Sequence, residues 1–317
     1  MERRPLGDSG FFVTPIALGA WAIGGTVETW GHVDDRESIA AIHQAIDSGI
    51  NLIDTAPIYG LGHSEEIIGR AIQGRRDSVV LATKCGLMPP RSKTDLPPRC
   101  LARTSILREC DESLRRLRTN VIDLYQCHWP DPNTPIRETM EALTSLREQG
   151  KIRVIGLSNF SCEEIAAARE FGPIHCLQAP FSMIRRRAAA DLLPSCVEHR
   201  MSVLAYSPLA KGLLTGKFRI DSRLEGIRSR DADFMGQRFA RSLRLVEELK
   251  PVAERHGKSV TQVVINWTAN HFGITSVIVG AKRPSQVVEN VGGIGWSLTN
   301  EDRSTIEQLI EAAEREP

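Results

Sequence analysis

Val121-Ile122-Asp123-Leu124-Tyr125-Gln126 and Ile152-Arg153-Val154-Ile155-Gly156 are short apolar runs with one helix-like stretch between them. In that stretch Thr134-Pro135 offers an N-cap with proline at the first helical position. Met140, Leu143 and Leu146 then share a face, and Gly150 ends it. Strand, helix, strand is the unit of a parallel sheet, whose strands are buried on both faces. Further runs lie upstream at Ile16-Ala17-Leu18-Gly19, Ile50-Asn51-Leu52-Ile53-Asp54 and Val79-Val80-Leu81-Ala82-Thr83. Downstream come Cys176-Leu177-Gln178, Ser202-Val203-Leu204-Ala205-Tyr206 and Val277-Ile278-Val279, which makes eight. Helical stripes separate them, such as Ile39, Ile42 and Ile46 before Gly49, and Leu107, Cys110, Leu114 and Leu117. Ser161-x-x-Glu164 and Ser259-x-x-Gln262 fit capping boxes.

The 317 residues are 41% hydrophobic and 25% charged. At ~150 residues per domain that length suggests about two domains, but eight-unit barrels commonly break the rule. No linker or compositional shift divides the chain. A doubly wound sheet lacks its fingerprint here: Gly60-Leu61-Gly62 continues to Glu65, and Gly293-Ile294-Gly295 to Leu298. Gly212-Leu213-Leu214-Thr215-Gly216-Lys217 is one residue short of a P-loop. The expected architecture is α/β, a single (β/α)8 TIM barrel domain over residues 1–317 with a short N-terminal β-hairpin. Long loops follow the third strand (about Cys85 to Arg103) and the seventh (about Ser207 to Gly236), on the end where barrels carry their active sites.

Forty Lys+Arg balance 39 Asp+Glu, a net charge of +1 that argues against nucleic-acid or membrane-surface partners. No apolar stretch approaches the ~20 residues of a membrane helix, and no signal peptide is visible. Seven scattered cysteines without a C-x-x-C point to reduced thiols and a cytoplasmic setting.

Four polar residues fall at successive strand ends: Asp54, then Tyr59 just beyond it, Lys84 and His128. Singly, each reads as a cap, a solvated cation or a packed ring. Together they make chemical sense. A phenol with an ordinary pKa of about 10 is a poor proton donor near neutrality, and a nearby ammonium lowers that value. Asp54 would keep Lys84 charged despite burial, and a neutral His128 would donate to a substrate oxygen. Such a set suits proton delivery to an oxygen becoming an alkoxide: carbonyl reduction, or alcohol oxidation in reverse. The hydride must come from a nicotinamide cofactor.

Over essentially its whole length the chain resembles the aldo-keto reductases. Arg4-x-Leu6-Gly7-x-Ser9-Gly10 is similar to the opening of bacterial members. Asp54-Thr55-Ala56-x-x-Tyr59-Gly60 with Ser64-Glu65, Gly156-Leu157-Ser158-Asn159-Phe160, and Val279-Gly280-Ala281-Lys282-Arg283-Pro284 with Gln286 and Glu289-Asn290 fit three family signatures. Leu124-Tyr125-Gln126-Cys127-His128-Trp129-Pro130-Asp131 resembles the bacterial branch with NADP-dependent glycerol dehydrogenases and inositol- or stress-linked reductases.

The resemblance implies that Asp54, Tyr59, Lys84 and His128 form the catalytic tetrad, with Tyr59 as general acid/base. It also implies NADP(H) as cofactor, with NAD(H) weaker. Ser158, Asn159 and Gln178 would meet the nicotinamide end, with Tyr206 stacked on the ring; turn formation and core packing are their bland alternatives. Gly19 would join the cofactor site. Ser207, Pro208, Leu209, Gly212 and Lys217 would serve the pyrophosphate, with Lys211 adding charge. After the eighth strand a helix N-terminus with Gly280, Lys282 and Arg283 suits the 2′-phosphate; the alternative is a solvated basic pair. Gln286, Glu289 and Asn290 would face the adenosine. Gln286 stands where many relatives carry arginine.

Trp21 and Trp129 are the first candidates for a substrate wall facing a carbonyl compound or polyol, ahead of Trp30, Met88 and Phe181. Cys85 and Cys127 flank Lys84 and His128, which makes them candidates for thiol sensitivity, but neither has a base partner placed for nucleophilic chemistry. A nicotinamide-binding sensor or regulatory subunit on the same fold is the rival reading. A metal-dependent lyase finds no ligand set with convincing spacing. Substrate, direction and oligomeric state are not legible.

Overall fold

The computed structural model describes residues 1–25, 30–31, 33–90, 92 and 95–315. An antiparallel hairpin, β1 (Arg4–Pro5) and β2 (Phe12–Val13), precedes eight parallel strands. These are β3 (Ile16–Gly19), β4 (Leu52–Asp54), β5 (Val80–Cys85), β6 (Ile122–Cys127), β7 (Ile152–Ser158), β8 (Cys176–Pro180), β9 (Ser202–Tyr206) and β10 (Ile274–Gly280). They pair in chain order, and β10 closes on β3, so the barrel has no free edge.

Around it lie α1 (Asp35–Asp47), α2 (His63–Ala71), α3 (Arg103–Leu117), α4 (Ile136–Glu148), α5 (Cys162–Arg169), α6 (Leu192–Glu198), α7 (Gly236–Glu248), α8 (Lys250–Arg255), α9 (Val260–Ala269), α10 (Pro284–Val291) and α11 (Asn300–Arg315). Both capping boxes form, Ser161 with Glu164 and Ser259 with Gln262. Thr134 does not cap α4. Its hydroxyl donates to Asp131 at 2.6 Å, because that carboxylate already gathers the turn through the Asn133 and Leu101 amides. The helix starts one residue late, with Pro135 at the cap and no side-chain bond there.

Alternate strand residues point inward. Ala17, Leu52, Val80, Ala82, Leu124, Val154, Cys176, Leu204 and Ile278 fill the barrel, and Leu6 and Val13 of the hairpin region close its lower end. The outward residues pack against the helices in a second, larger core. The apolar interior stops near the C-terminal strand ends. Asp54, Lys84, Gln126, Ser158 and Gln178 continue the inward positions there, all buried, so the barrel carries a polar layer at its upper end. Both long loops open at this end. The segment between β9 and α7 contains three short 3₁₀ turns, at Ala210–Thr215, Gly226–Arg230 and Ala232–Phe234.

Candidate active site

Asp54 is the last residue of β4, and Lys84 is inward on β5. The Lys84 ammonium donates to both Asp54 oxygens at 2.8 Å each and to the Thr55 carbonyl at 2.8 Å. The phenol oxygen of Tyr59 is 3.4 Å from the same nitrogen. Tyr59 is held on a tight turn: its amide donates to Ala56, and Gly60 next to it adopts φ 62°. His128 follows β6, its amide bonded to the Cys85 carbonyl at 2.9 Å and its ring edge-on to Tyr59 at 5.9 Å. The structure thus brings all four residues to one place.

Burial, and then the Asp54 charge, push the Tyr59 phenol well above its ordinary range. The direction is opposite to the expected lowering by Lys84. The ammonium is bonded to both Asp54 oxygens, and burial, seconded by that carboxylate, outweighs its pull on the phenol. Burial also lowers Lys84, against the opposing pull of Asp54. His128 falls well below its ordinary range, by burial and then by the Lys84 charge, so its imidazole is neutral. The set is a protonated phenol beside a neutral imidazole, over a buried ion pair.

A cavity of about 760 Å³ opens above these groups. Gly19, Ser158, Asn159, Gln178 and Tyr206 line it at the strand ends. Asn159, at φ 64°, donates to Ser158 Oγ and to the His128 carbonyl and accepts from Tyr206 Oη at 2.8 Å. Gln178 donates to Asp54 Oδ1 at 2.8 Å. Ser207, Pro208, Leu209, Gly212 and Lys217 line the side formed by the seventh loop. Gly280, Lys282, Gln286, Glu289 and Asn290 line the opposite side, where the Lys282 amide donates to Gln286 at 2.8 Å. Glu289 accepts from Ser259 Oγ, so part of its charge is turned toward α9.

Arg283 is not at this cavity; its guanidinium faces Glu37 at 3.4 Å on the outer surface. The third cation is instead Arg228, which the sequence reading missed. It stands in an aperiodic loop, and its only signal was the density of arginines there. Its guanidinium lies 5.0 Å over the Trp30 ring, and Lys282 donates to the Trp30 carbonyl. Among the described residues no carboxylate pairs with Lys217, Arg228 or Lys282, whereas Lys211 is bound to Asp231. Burial and the Arg228 and Lys282 charges push the Lys217 ammonium down to about 8. Three crowded cations with no carboxylate partner among the described residues form a site that an anion would stabilise.

Trp21, Trp30 and Trp129 all line the cavity, joined by Ile58, Leu87 and Pro97, which sequence reading passed over. Trp21 leans over Tyr59 at 6.2 Å and meets Trp30 edge-on at 5.2 Å. Trp129 lies beneath the Arg99 guanidinium at 4.9 Å. Phe181 does not face the cavity: it is buried, stacked on Trp267 at 5.8 Å, because its strand end turns it toward the helices. Met88 belongs to a separate, smaller cavity with Arg108 and Glu109. Cys85 and Cys127 are register neighbours and buried. The neighbouring Cys127 and burial hold Cys85 as a neutral thiol, and its Sγ donates to the Gln126 carbonyl at 3.6 Å.

Residues 15–311 match the model of the aldo/keto reductase family. The chain is 41% identical to aldo-keto reductase YhdN of Bacillus subtilis (strain 168), covering 100% of this chain and 96% of the relative. It is 34% identical to the NADH-specific methylglyoxal reductase of Escherichia coli (strain K12), covering 99% and 100%. Among solved structures, the glycerol dehydrogenase AKR11B4 from Gluconobacter oxydans superposes with a TM-score of 0.91 at 38% identity, covering 99% and 97%. The chain belongs to the aldo/keto reductase family and is an oxidoreductase of that class. No helix among the described residues is long and apolar enough to cross a membrane.

Proposed function

We propose that the protein interconverts small carbonyl compounds and alcohols or polyols with NADP(H), as one cytoplasmic barrel domain, using Tyr59 as the general acid/base. The carrying observation is the adjacency of two devices: Tyr59 against the Lys84–Asp54 pair, and the cations Lys217, Arg228 and Lys282, which have no carboxylate partner among the described residues, along the same cavity. The cations fit an anionic cofactor, and three rather than two favour one with an extra phosphate. A bound nicotinamide supplies or accepts the hydride.

The chain's own residues do the rest. Burial keeps the Tyr59 proton in place until the substrate oxygen takes on negative charge. As that proton leaves, the phenolate gains the nearby Lys84 ammonium, which Asp54 has kept in place. The neutral His128 donates a hydrogen bond that orients the oxygen without protonating it. Trp21, Trp30 and Trp129 exclude water and offer apolar faces to a sugar or polyol chain.

The nucleotide preference is proposed on Arg228 and Lys282; the NADH-specific name of one relative makes a direct comparison necessary. Fluorescence titration with NADPH and NADH, then turnover of aldehydes, sugars and polyols in both directions, tests the reading. Turnover of any of these with NADPH in the range of ordinary enzymes, ~1–1000 s⁻¹, supports it. Tight nucleotide binding with no turnover would favour the regulatory-subunit reading.

A further inference from the structure

Gln126 is the member of the polar layer that neither lines the cavity nor enters the scheme above. It lies on β6, in register with Lys84 on β5 and Gly156 on β7, so it points into the barrel beside Lys84. It is fully buried. A Cβ on Gly156 would stand 3.0 Å from Gln126 Cγ and 2.7 Å from Cys176 Sγ, so the bare glycine leaves the room that the amide fills. Leu124, Val154 and Cys176 form the apolar layer beneath it.

Burying an amide in such a place costs free energy unless it is bonded. Its Nε2 lies 3.4 Å from Asp54 Oδ1, and its Oε1 is buried with no partner among the described residues. The flipped amide would set two oxygens against each other with no proton between them, so the donating orientation follows from the chemistry. Asp54 Oδ1 therefore receives Lys84, Gln178 and Gln126. Gln178 lines the cavity, and its amide is the one expected to meet the nicotinamide. Gln126 does not line the cavity.

We propose that Gln126 is a positioning residue: it holds the Asp54 carboxylate, and through it Lys84, against Tyr59 while the cofactor engages Gln178. The inference rests on the acid/base reading of Tyr59.

The test compares wild type, Gln126→Met, Gln126→Glu and Tyr59→Phe in kcat and kcat/KM across the acid-to-alkaline range, with NADPH affinity measured by fluorescence. Gln126→Met keeps the length and removes the donor. It should lower kcat roughly fivefold, the worth of one modest hydrogen bond, and leave NADPH affinity unchanged. It should also shift the alkaline limb, because the carboxylate that faces the Lys84 ammonium loses a donor. Gln126→Glu sets a second carboxylate against Asp54 near neutrality. As pH falls, that carboxyl takes a proton and donates again, so its activity relative to wild type should climb. A wild-type kcat and limb in Gln126→Met would overturn the proposal. So would equal losses at every pH with weakened NADPH binding, which mark packing alone. Should Gln126→Met not fold, the near-isosteric Gln126→Glu carries the test through its pH-dependent ratio. Full turnover in Tyr59→Phe is the separate result that removes the underlying reading.

Discussion

Lys84 bonds both carboxylate oxygens of Asp54 at 2.8 Å, and neither side chain is more than 4% exposed. A buried pair of this kind is costly to half-dismantle, since the remaining charge has no partner. Lys84→Met and Asp54→Asn should each lose about 3–5 kcal/mol of stability in urea unfolding. The double variant should regain most of it while staying inactive. A double variant no more stable than either single would show that the pair is not the energetic unit.

Tyr59→Phe removes the proton and little else, because the ring keeps its place against Trp21 and His128. Turnover should fall by roughly 10²–10⁴, the usual reach of general acid/base catalysis. Nucleotide affinity, followed by fluorescence, should not change.

Arg228→Ala and Lys282→Ala each take one cation from the cluster at the cavity. Each should weaken NADPH by about 1.5–3 kcal/mol, the worth of a charge-assisted bond, and NADH by less. Calorimetry on both nucleotides checks this; equal losses would remove the 2′-phosphate role.

Gly60 sets the turn that presents Tyr59. A Cβ there would lie 2.1 Å from the Gly24 carbonyl oxygen, at a φ of 62°. Gly60→Ala should cost about 1–3 kcal/mol, read as a lowered Tm, and should depress kcat because the displaced turn carries the phenol. An unchanged kcat would show that Tyr59 is positioned independently of its turn.

Glu109, buried beneath the Gly86 amide and Ser105, is pushed up to about 7, mainly by desolvation. Its carboxyl holds a proton more tightly folded than unfolded. Its contribution is therefore most favourable at low pH and is lost as pH climbs from about 4.5 to about 7. Glu109→Gln can still accept from Gly86. Relative to wild type it should gain stability over that interval, by on the order of 3 kcal/mol at the top. Unfolding at matched pH values checks the difference; a constant offset would contradict the burial of a charge.

Asp54, Lys84 and His128 were legible because a parallel strand leaves its last inward residue at the barrel's upper end, whatever surrounds it. Both capping boxes were legible for a similar reason: the partners are three residues apart and need no tertiary help. Thr134 shows the limit, since a carboxylate three residues earlier outbid the helix end for its hydroxyl.

The sequence by itself determined the eight strand–helix units and the residues at the strand ends, because periodicity, caps and alternation act over a few residues. Only the tertiary structure decided that Arg228 rather than Arg283 joins the cavity, that Phe181 turns to the helices, and that Gln126 reaches Asp54. It also decided that burial raises the Tyr59 phenol. Each of these depends on which groups from distant loops and strands meet after the barrel closes, and on the water their meeting excludes.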